Sequence, residues 1–274
     1  MMVAGSIGAV VASIRNAFAP ATLSWTRLAI STAYDRSEFA SLKKDIEELI
    51  SVLEPGLEQL LLSFDSADHD DEPFDCTQLE RHAGTLKTLA LYERELANDF
   101  AHLALDYESL SRLSLPNLTQ LLLSLNSIVP QRLSDHRFVR ELDMLQRSPS
   151  LKTIFIHTFD QVSPPHQSQS LKEKNQTYAN NIVKYLFNKS ICPELKIVVV
   201  ELEDKTRKAS SAYDPRCYYA VHAIPDPYHS GKSTVEARPI KRYDIKYLEP
   251  ESDVIYFNPG AGARTRRGRP SFAF

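Results

Sequence analysis

The chain has 274 residues, 43% hydrophobic and 24% charged, with a formal net charge of −3. These values fit a folded chain rather than a disordered one, and such a balance makes no case at whole-chain level for a nucleic-acid or membrane partner. Its three cysteines, Cys76, Cys192 and Cys217, form no CxxC pair, which argues against a zinc site or a disulfide framework and suits a reducing compartment, cytoplasmic or nuclear.

Residues 1–21 read as an N-terminal helix or cap. The apolar run Ile7–Ile14 is far short of the ~20 residues that cross a bilayer. The same acid-poor stretch, with Arg15, also has the composition of a mitochondrial presequence.

From Trp25 onward one spacing, apolar-x-x-apolar-x-apolar, recurs. It is weak at Trp25/Leu28/Ile30 and strong at Leu57/Leu60/Leu62, Leu86/Leu89/Leu91, Leu118/Leu121/Leu123, Leu151/Ile154/Ile156 and Leu195/Val198/Val200. Successive first residues are 32, 29, 32, 33 and 44 positions apart. Self-similarity at this period marks a stacked repeat, each unit burying its apolar face against its neighbours. Each unit reads as a helix, a break and a short strand. Phe39, Leu42, Ile46, Leu49, Ile50 and Leu53 share one face of a 3.6-period helix, with Lys43, Lys44, Asp45, Glu47 and Glu48 around the rest. Glu54-Pro55-Gly56 ends that helix, because proline lacks the amide donor and clashes with a further turn.

Proline stands two residues before the first leucine at Pro55, Pro116, Pro149 and Pro193, and Ala83-Gly84-Thr85 serves at Leu86. Further helix patterns lie at Arg137–Arg147 and Tyr178–Lys189. Two polar insertions, Asp65–Asp75 and Gln161–Ser170, are expected as loops. The array spans 22–204. In the closing segment, 205–258, Cys217–Ile224 and Thr234–Leu248 read as strands around a turn-rich connection, and 259–274 reads as a disordered basic tail. The fold class is therefore α/β: a short solenoid with parallel strands on a concave face, helices on the convex one, and a β-rich closing element.

The units "LPNLTQLLLSLN" (Leu115–Asn126), "SPSLKTIFIH" (Ser148–His157) and "CPELKIVVVE" (Cys192–Glu201) resemble the irregular leucine-rich repeats of fungal F-box-type proteins. "RYDIKYLEPESDVI" (Arg242–Ile255) is similar to the segment that closes them. The resemblance covers roughly 23–255 and implies a non-catalytic protein-interaction scaffold related to the substrate-recognition subunits of ubiquitin ligases. The F-box module itself is not visible: Trp25 is the only tryptophan, and its context differs from the Cys-Arg-x-Trp-like end of that module. What carries over is the repeat scaffold, expected to be monomeric alone and to bind a protein.

In a strand the side chains alternate, so residues between core positions face the concave side. The middle column, Ala29, Leu61, Ala90, Leu122, Phe155 and Val199, is apolar; the flanking column Ser31, Ser63, Tyr92, Ser124, His157 and Glu201 is mostly polar. An apolar stripe with polar borders reads as a partner-binding patch at Leu61, Tyr92, Leu122, Phe155, His157 and Val199. Against it stands the tendency of parallel sheets to be covered on both faces.

No catalytic, cofactor or metal site is expected. Ser230–Thr234 lacks the first glycine of a phosphate loop, having Asp226 in its place. Cys217 and His222, with Asp226 nearby, are the residue types of a thiol nucleophile, base and orienter, but five residues apart on a strand means opposite faces. Asp68, His69, Asp70, Asp71 and Glu72 lack a calcium-loop pattern and read as a solvated acidic loop. The alternative to the scaffold is a nuclear DNA-associated protein. Arg266, Arg267 and Arg269 belong to a stretch, Arg266-Arg267-Gly268-Arg269-Pro270, that contains the Arg-Gly-Arg-Pro core of a single AT-hook, suited to weak binding in the A·T-rich minor groove.

Overall fold

In the computed structural model, which describes residues 25–31, 39–64, 74–93, 107–125, 142–159, 171–203, 216–225 and 233–250, each of the six spacings forms a strand. These are β1 (Arg27–Ser31), β2 (Gln59–Phe64), β3 (Thr88–Glu93), β4 (Gln120–Leu125), β5 (Thr153–Phe159) and β6 (Ile197–Glu203). Two further strands, β7 (Arg216–Pro225) and β8 (Ser233–Ile240), follow. Contacts divide the described residues into two compact units, those up to Asn117 and those from Leu118 on. The architecture is α/β with mostly parallel strand pairing.

In the first unit β1, β2 and β3 pair in parallel, aligning Leu28, Leu60 and Leu89 and, two residues on, Ile30, Leu62 and Leu91. In the second, β4, β5 and β6 align Leu121, Ile154 and Val198 and then Leu123, Ile156 and Val200. All twelve side chains are buried. A leucine-x-leucine pair therefore fixes the register, since a one-residue slip would turn every apolar side chain to the other face.

The residues before β1, β2, β4 and β5 repeat a backbone device. The Thr26 carbonyl accepts from the amides of both Glu58 (2.8 Å) and Gln59 (2.9 Å), and that of Glu58 from Lys87 (2.8 Å) and Thr88 (3.0 Å). In the second unit the Thr119 carbonyl takes Lys152 (2.9 Å) and Thr153 (3.0 Å), and the Lys152 carbonyl takes Lys196 (2.9 Å) and Ile197 (3.1 Å). Leu57, Leu86, Leu118 and Leu151, the first leucines of four of the repeats, are buried, while Leu195 is half-buried.

Helix α1 (Phe39–Val52) buries Ile46, Leu49 and Ile50 as its spacing predicts, with Leu53 just beyond its end. Gly56 then turns the chain at φ +145°, a region open to glycine but costly for a side chain. Lys43 departs from expectation: it is buried, not on the polar face. It stands three residues before Ile46 and seven before Ile50, in line with the apolar stripe. The acidic insertion is also shorter than expected. Phe74 is buried, and Asp75 caps a 3-10 turn (Cys76–His82), its carboxylate accepting from the Thr77 amide at 2.9 Å. A short helix α2 (Tyr107–Arg112), unmarked in the sequence, contributes Leu110 to the core and Ser109, whose hydroxyl accepts from the Cys76 amide (2.9 Å).

In the second unit α3 (Leu171–Asn188) starts seven residues earlier than its apolar pattern. Tyr178, Ile182, Val183 and Leu186 make its buried face. The chain reverses after β6, so β7 pairs antiparallel with it and β8 antiparallel with β7. The Asn180 side-chain oxygen accepts from the Ala237 amide at 2.8 Å, and Gln176 donates to the Ala237 carbonyl. Helix α3 thus occupies backbone groups on the outer edge of β8 that would otherwise offer a pairing template. The strand expected to run to Leu248 ends at Ile240. Residues 242–244 form a 3-10 turn and α4 (Ile245–Leu248) follows. The Asp244 carboxylate accepts from the Lys241 amide (3.0 Å) and starts the helical turn there, which the alternating reading of 234–248 overlooks. No helix among the described residues is long and apolar enough to cross a membrane.

Candidate functional site

Strand alternation places Gln120, Leu122 and Ser124 of β4, Thr153, Phe155 and His157 of β5, and Ile197, Val199 and Glu201 of β6 on the face opposite the leucine core. The antiparallel return adds Tyr218 opposite Val199 and Arg216 opposite Glu201. The residues of the expected partner patch come together as the spacing requires: Leu122, Phe155 and Val199 stand side by side in the second unit. Leu61 and Tyr92 lie on β2 and β3 of the first, in adjacent columns.

Their exposure corrects the expectation of an open patch. Leu122, Phe155 and Val199 are each 0% exposed, His157 is 1% and Tyr92 is 7%; only Leu61 is partly open. In the second unit the apolar stripe is interior, in keeping with the coverage of both faces usual for parallel strands. Side chains of this size lose free energy in water, so a covered stripe contributes stability that an open one cannot.

At the C-terminal end of the same strands lies a buried polar row. Ser124 Oγ is 3.1 Å from His157 Nδ1. The next strand brings Glu201 beside His157, and the next after that brings Arg216, whose Nε donates to Glu201 Oε2 at 3.4 Å. The Arg216 guanidinium also lies over the Phe155 ring, 4.9 Å from its centre. Charge, carboxylate and aromatic face are thus stacked where the side chains of Arg216 and Glu201 are only 9% and 11% exposed.

Serine, imidazole and carboxylate are the types that serve as nucleophile, base and orienter, but the arrangement here is different. The imidazole meets the hydroxyl through Nδ1, the carboxylate is held by a guanidinium, and Ser124 and His157 are 0% and 1% exposed, closed to any substrate. Chemically the row cross-links β4 through β7. Ser124, His157 and Glu201 are legible as a column in the sequence. Arg216 is not, because only the antiparallel return of β7 aligns it with Glu201.

The remaining candidates are not assembled. Cys217 and His222 project to opposite faces of β7, with His222 exposed, and Asp226 lies outside the described residues. Cys217 instead approaches Tyr219, whose phenol pKa is raised chiefly by burial and further by that thiol. Burial pushes the Cys192 thiol up to about 12, so it stays protonated, directed at the carbonyls of Leu145 and Ser148. Ser233 and Thr234 open β8; the rest of Ser230–Thr234, the acidic run 68–72 and the arginines 266, 267 and 269 lie outside the described residues. Among the described residues no group of three or more His, Cys, Asp or Glu could hold a metal ion.

The sequence missed one surface cluster. Lys241, Arg242, Tyr243, Lys246, Tyr247 and Leu248 are all exposed on the turn and helix after β8. A scan against protein-family models found no match, and searches of curated proteins and of solved structures found none.

Proposed function

We propose that the chain is a non-catalytic protein-interaction scaffold of leucine-rich-repeat type, a short solenoid related to the substrate-recognition subunits of ubiquitin ligases. One observation carries this reading. The apolar-x-x-apolar-x-apolar spacing coincides with parallel strands, and the residue before a strand uses its carbonyl to accept two amides of the following repeat. A module that repeats in sequence and in hydrogen bonding at the same offset is what a stacked scaffold needs, since each unit completes its neighbour. The burial of Ser124 and His157 supports the non-catalytic part.

The test is affinity capture with the full-length chain, followed by mass spectrometry scored for ubiquitin-ligase adaptors and reciprocal capture from each partner found. A near-stoichiometric protein partner is the expected result, with an adaptor among the proteins recovered. Recovery of no specific protein, or a chemical turnover by the purified chain, overturns the scaffold reading. A stable partner without any adaptor overturns only its link to ubiquitin ligases.

A further inference from the structure

Among the described residues four large hydrophobic side chains are well exposed, and three belong to one short stretch: Tyr243 (56%), Tyr247 (75%) and Leu248 (40%). The two tyrosines are four residues apart, on successive turns of the 3-10 segment and α4, where such spacing brings side chains together. Each ring carries an ammonium over it, Lys241 Nζ 5.4 Å from the Tyr243 centre and Lys246 Nζ 5.1 Å from that of Tyr247.

The charges around this patch are sorted. Its cations, Lys241, Arg242 and Lys246, are exposed. Among the described residues its two carboxylates, Asp244 and Glu249, already accept from other groups. Asp244 accepts from the Lys241 amide, and Glu249, 7% exposed, is held by Lys196 Nζ at 3.0 Å with Lys152 Nζ at 4.0 Å. The outward face therefore offers apolar rings and positive charge together. It is also pre-formed, with Ile245 fully buried at its centre and Glu249 pinning its end. A rigid platform loses little entropy on binding.

We propose that Tyr243, Tyr247 and Leu248, with Lys241, Arg242 and Lys246, form a docking platform for an acidic peptide segment of a partner protein. Carboxylates of the segment meet the cations, and its interleaved apolar side chains pack on the tyrosines. Tyrosine is a frequent anchor of interfaces, and flanking charge steers the encounter. A membrane surface fits less well, because interfacial helices present long apolar faces and α4 has only four residues. The assignment rests on the scaffold reading and names where one partner would bind.

The experiment uses the full chain and a fluorescent peptide alternating Glu with Phe and Leu, read by anisotropy. Its probes are that peptide, its Lys-for-Glu counterpart, and phosphatidylcholine vesicles containing phosphatidylserine. Expected is binding of the acidic peptide alone, weakened at least tenfold by Tyr247→Ala and separately by Lys246→Glu, and weakened by added salt. Both variants keep the wild-type thermal transition, as exposed positions should. The double variant Lys241→Glu, Lys246→Glu is expected to prefer the basic peptide. Equal binding of the acidic peptide by wild type and Tyr247→Ala overturns the proposal. So does Tyr247-dependent binding of vesicles, or Tyr247-dependent self-association in the ultracentrifuge, without binding of the acidic peptide. A captured partner whose binding ignores Tyr247→Ala overturns this assignment while the scaffold reading stands. Absence of any partner removes both.

Discussion

Arg216 and Glu201 carry opposite charges in a place with little water, and their separate values differ from their joint one. Deleting either leaves a charge buried without compensation, at a cost of about 3–5 kcal/mol, whereas replacing both with apolar groups of similar volume is often neutral or stabilising. Arg216→Met and Glu201→Leu should therefore each lower unfolding free energy by that amount in denaturant titrations, and the double variant should recover most of the loss. His82 offers a different test. Its Nδ1 accepts from the Leu57 amide (3.4 Å) and its Nε2 faces the Ile50 carbonyl (3.3 Å), an arrangement that assigns the proton to Nε2. Burial lowers its pKa below the ordinary 6.5; the Ile50 carbonyl opposes this in part, and the charge of Arg81 adds to it. Below pH 6.5 the unfolded chain takes up the proton first, so the stabilising contribution is full above that pH and declines as pH falls toward the folded value. Melting temperature should drop between neutral pH and pH 5 by more in wild type than in His82→Gln.

Elements in this chain end by chemistry as much as by pattern. Helix α3 closes with the Ser190 amide donating to the Phe187 carbonyl (3.0 Å) and that of Ile191 to Leu186 (2.8 Å), a Schellman arrangement with Ser190 at φ +54°. Glycine occupies that position without strain, so Ser190→Gly should raise stability by about 0.5–1 kcal/mol, measured by thermal or chemical unfolding. The strands were the most legible elements, because paired leucines two apart, preceded by Pro-x-Leu, leave one register. Helix boundaries were less so. Lys43 reads as polar, yet lies on the stripe defined by Ile46 and Ile50. Helix α2, with Leu110 as its one aliphatic residue in six, offers too little for a period. Around Tyr243 and Tyr247 the alternation looked like strand, and the deciding group was the Asp244 carboxylate, a cap that hydropathy does not register.

For the whole molecule, the sequence shows which residues share a face and not what lies over that face. The columns through Leu122, Phe155 and Val199 were legible residue by residue, but their burial depends on tertiary packing that a strand's own sequence does not record. An aspartate at Leu122 should therefore unfold the protein rather than leave a stable, binding-deficient one. The expected observation is loss of the cooperative thermal transition, or a large fall in its midpoint, because an isolated charge in the interior has no partner. Retention of the wild-type transition would return the stripe to the surface.

The doubly accepting carbonyls have a consequence for how such a chain can change. Leu118 to Leu151 is a step of 33 residues and Leu151 to Leu195 one of 44, yet Thr119 and Lys152 receive the next repeat in the same way. The start of a strand is reset locally by two amides and one oxygen, independent of how much chain has passed since the last one. Connections can then lengthen without propagating an error into the strands that follow.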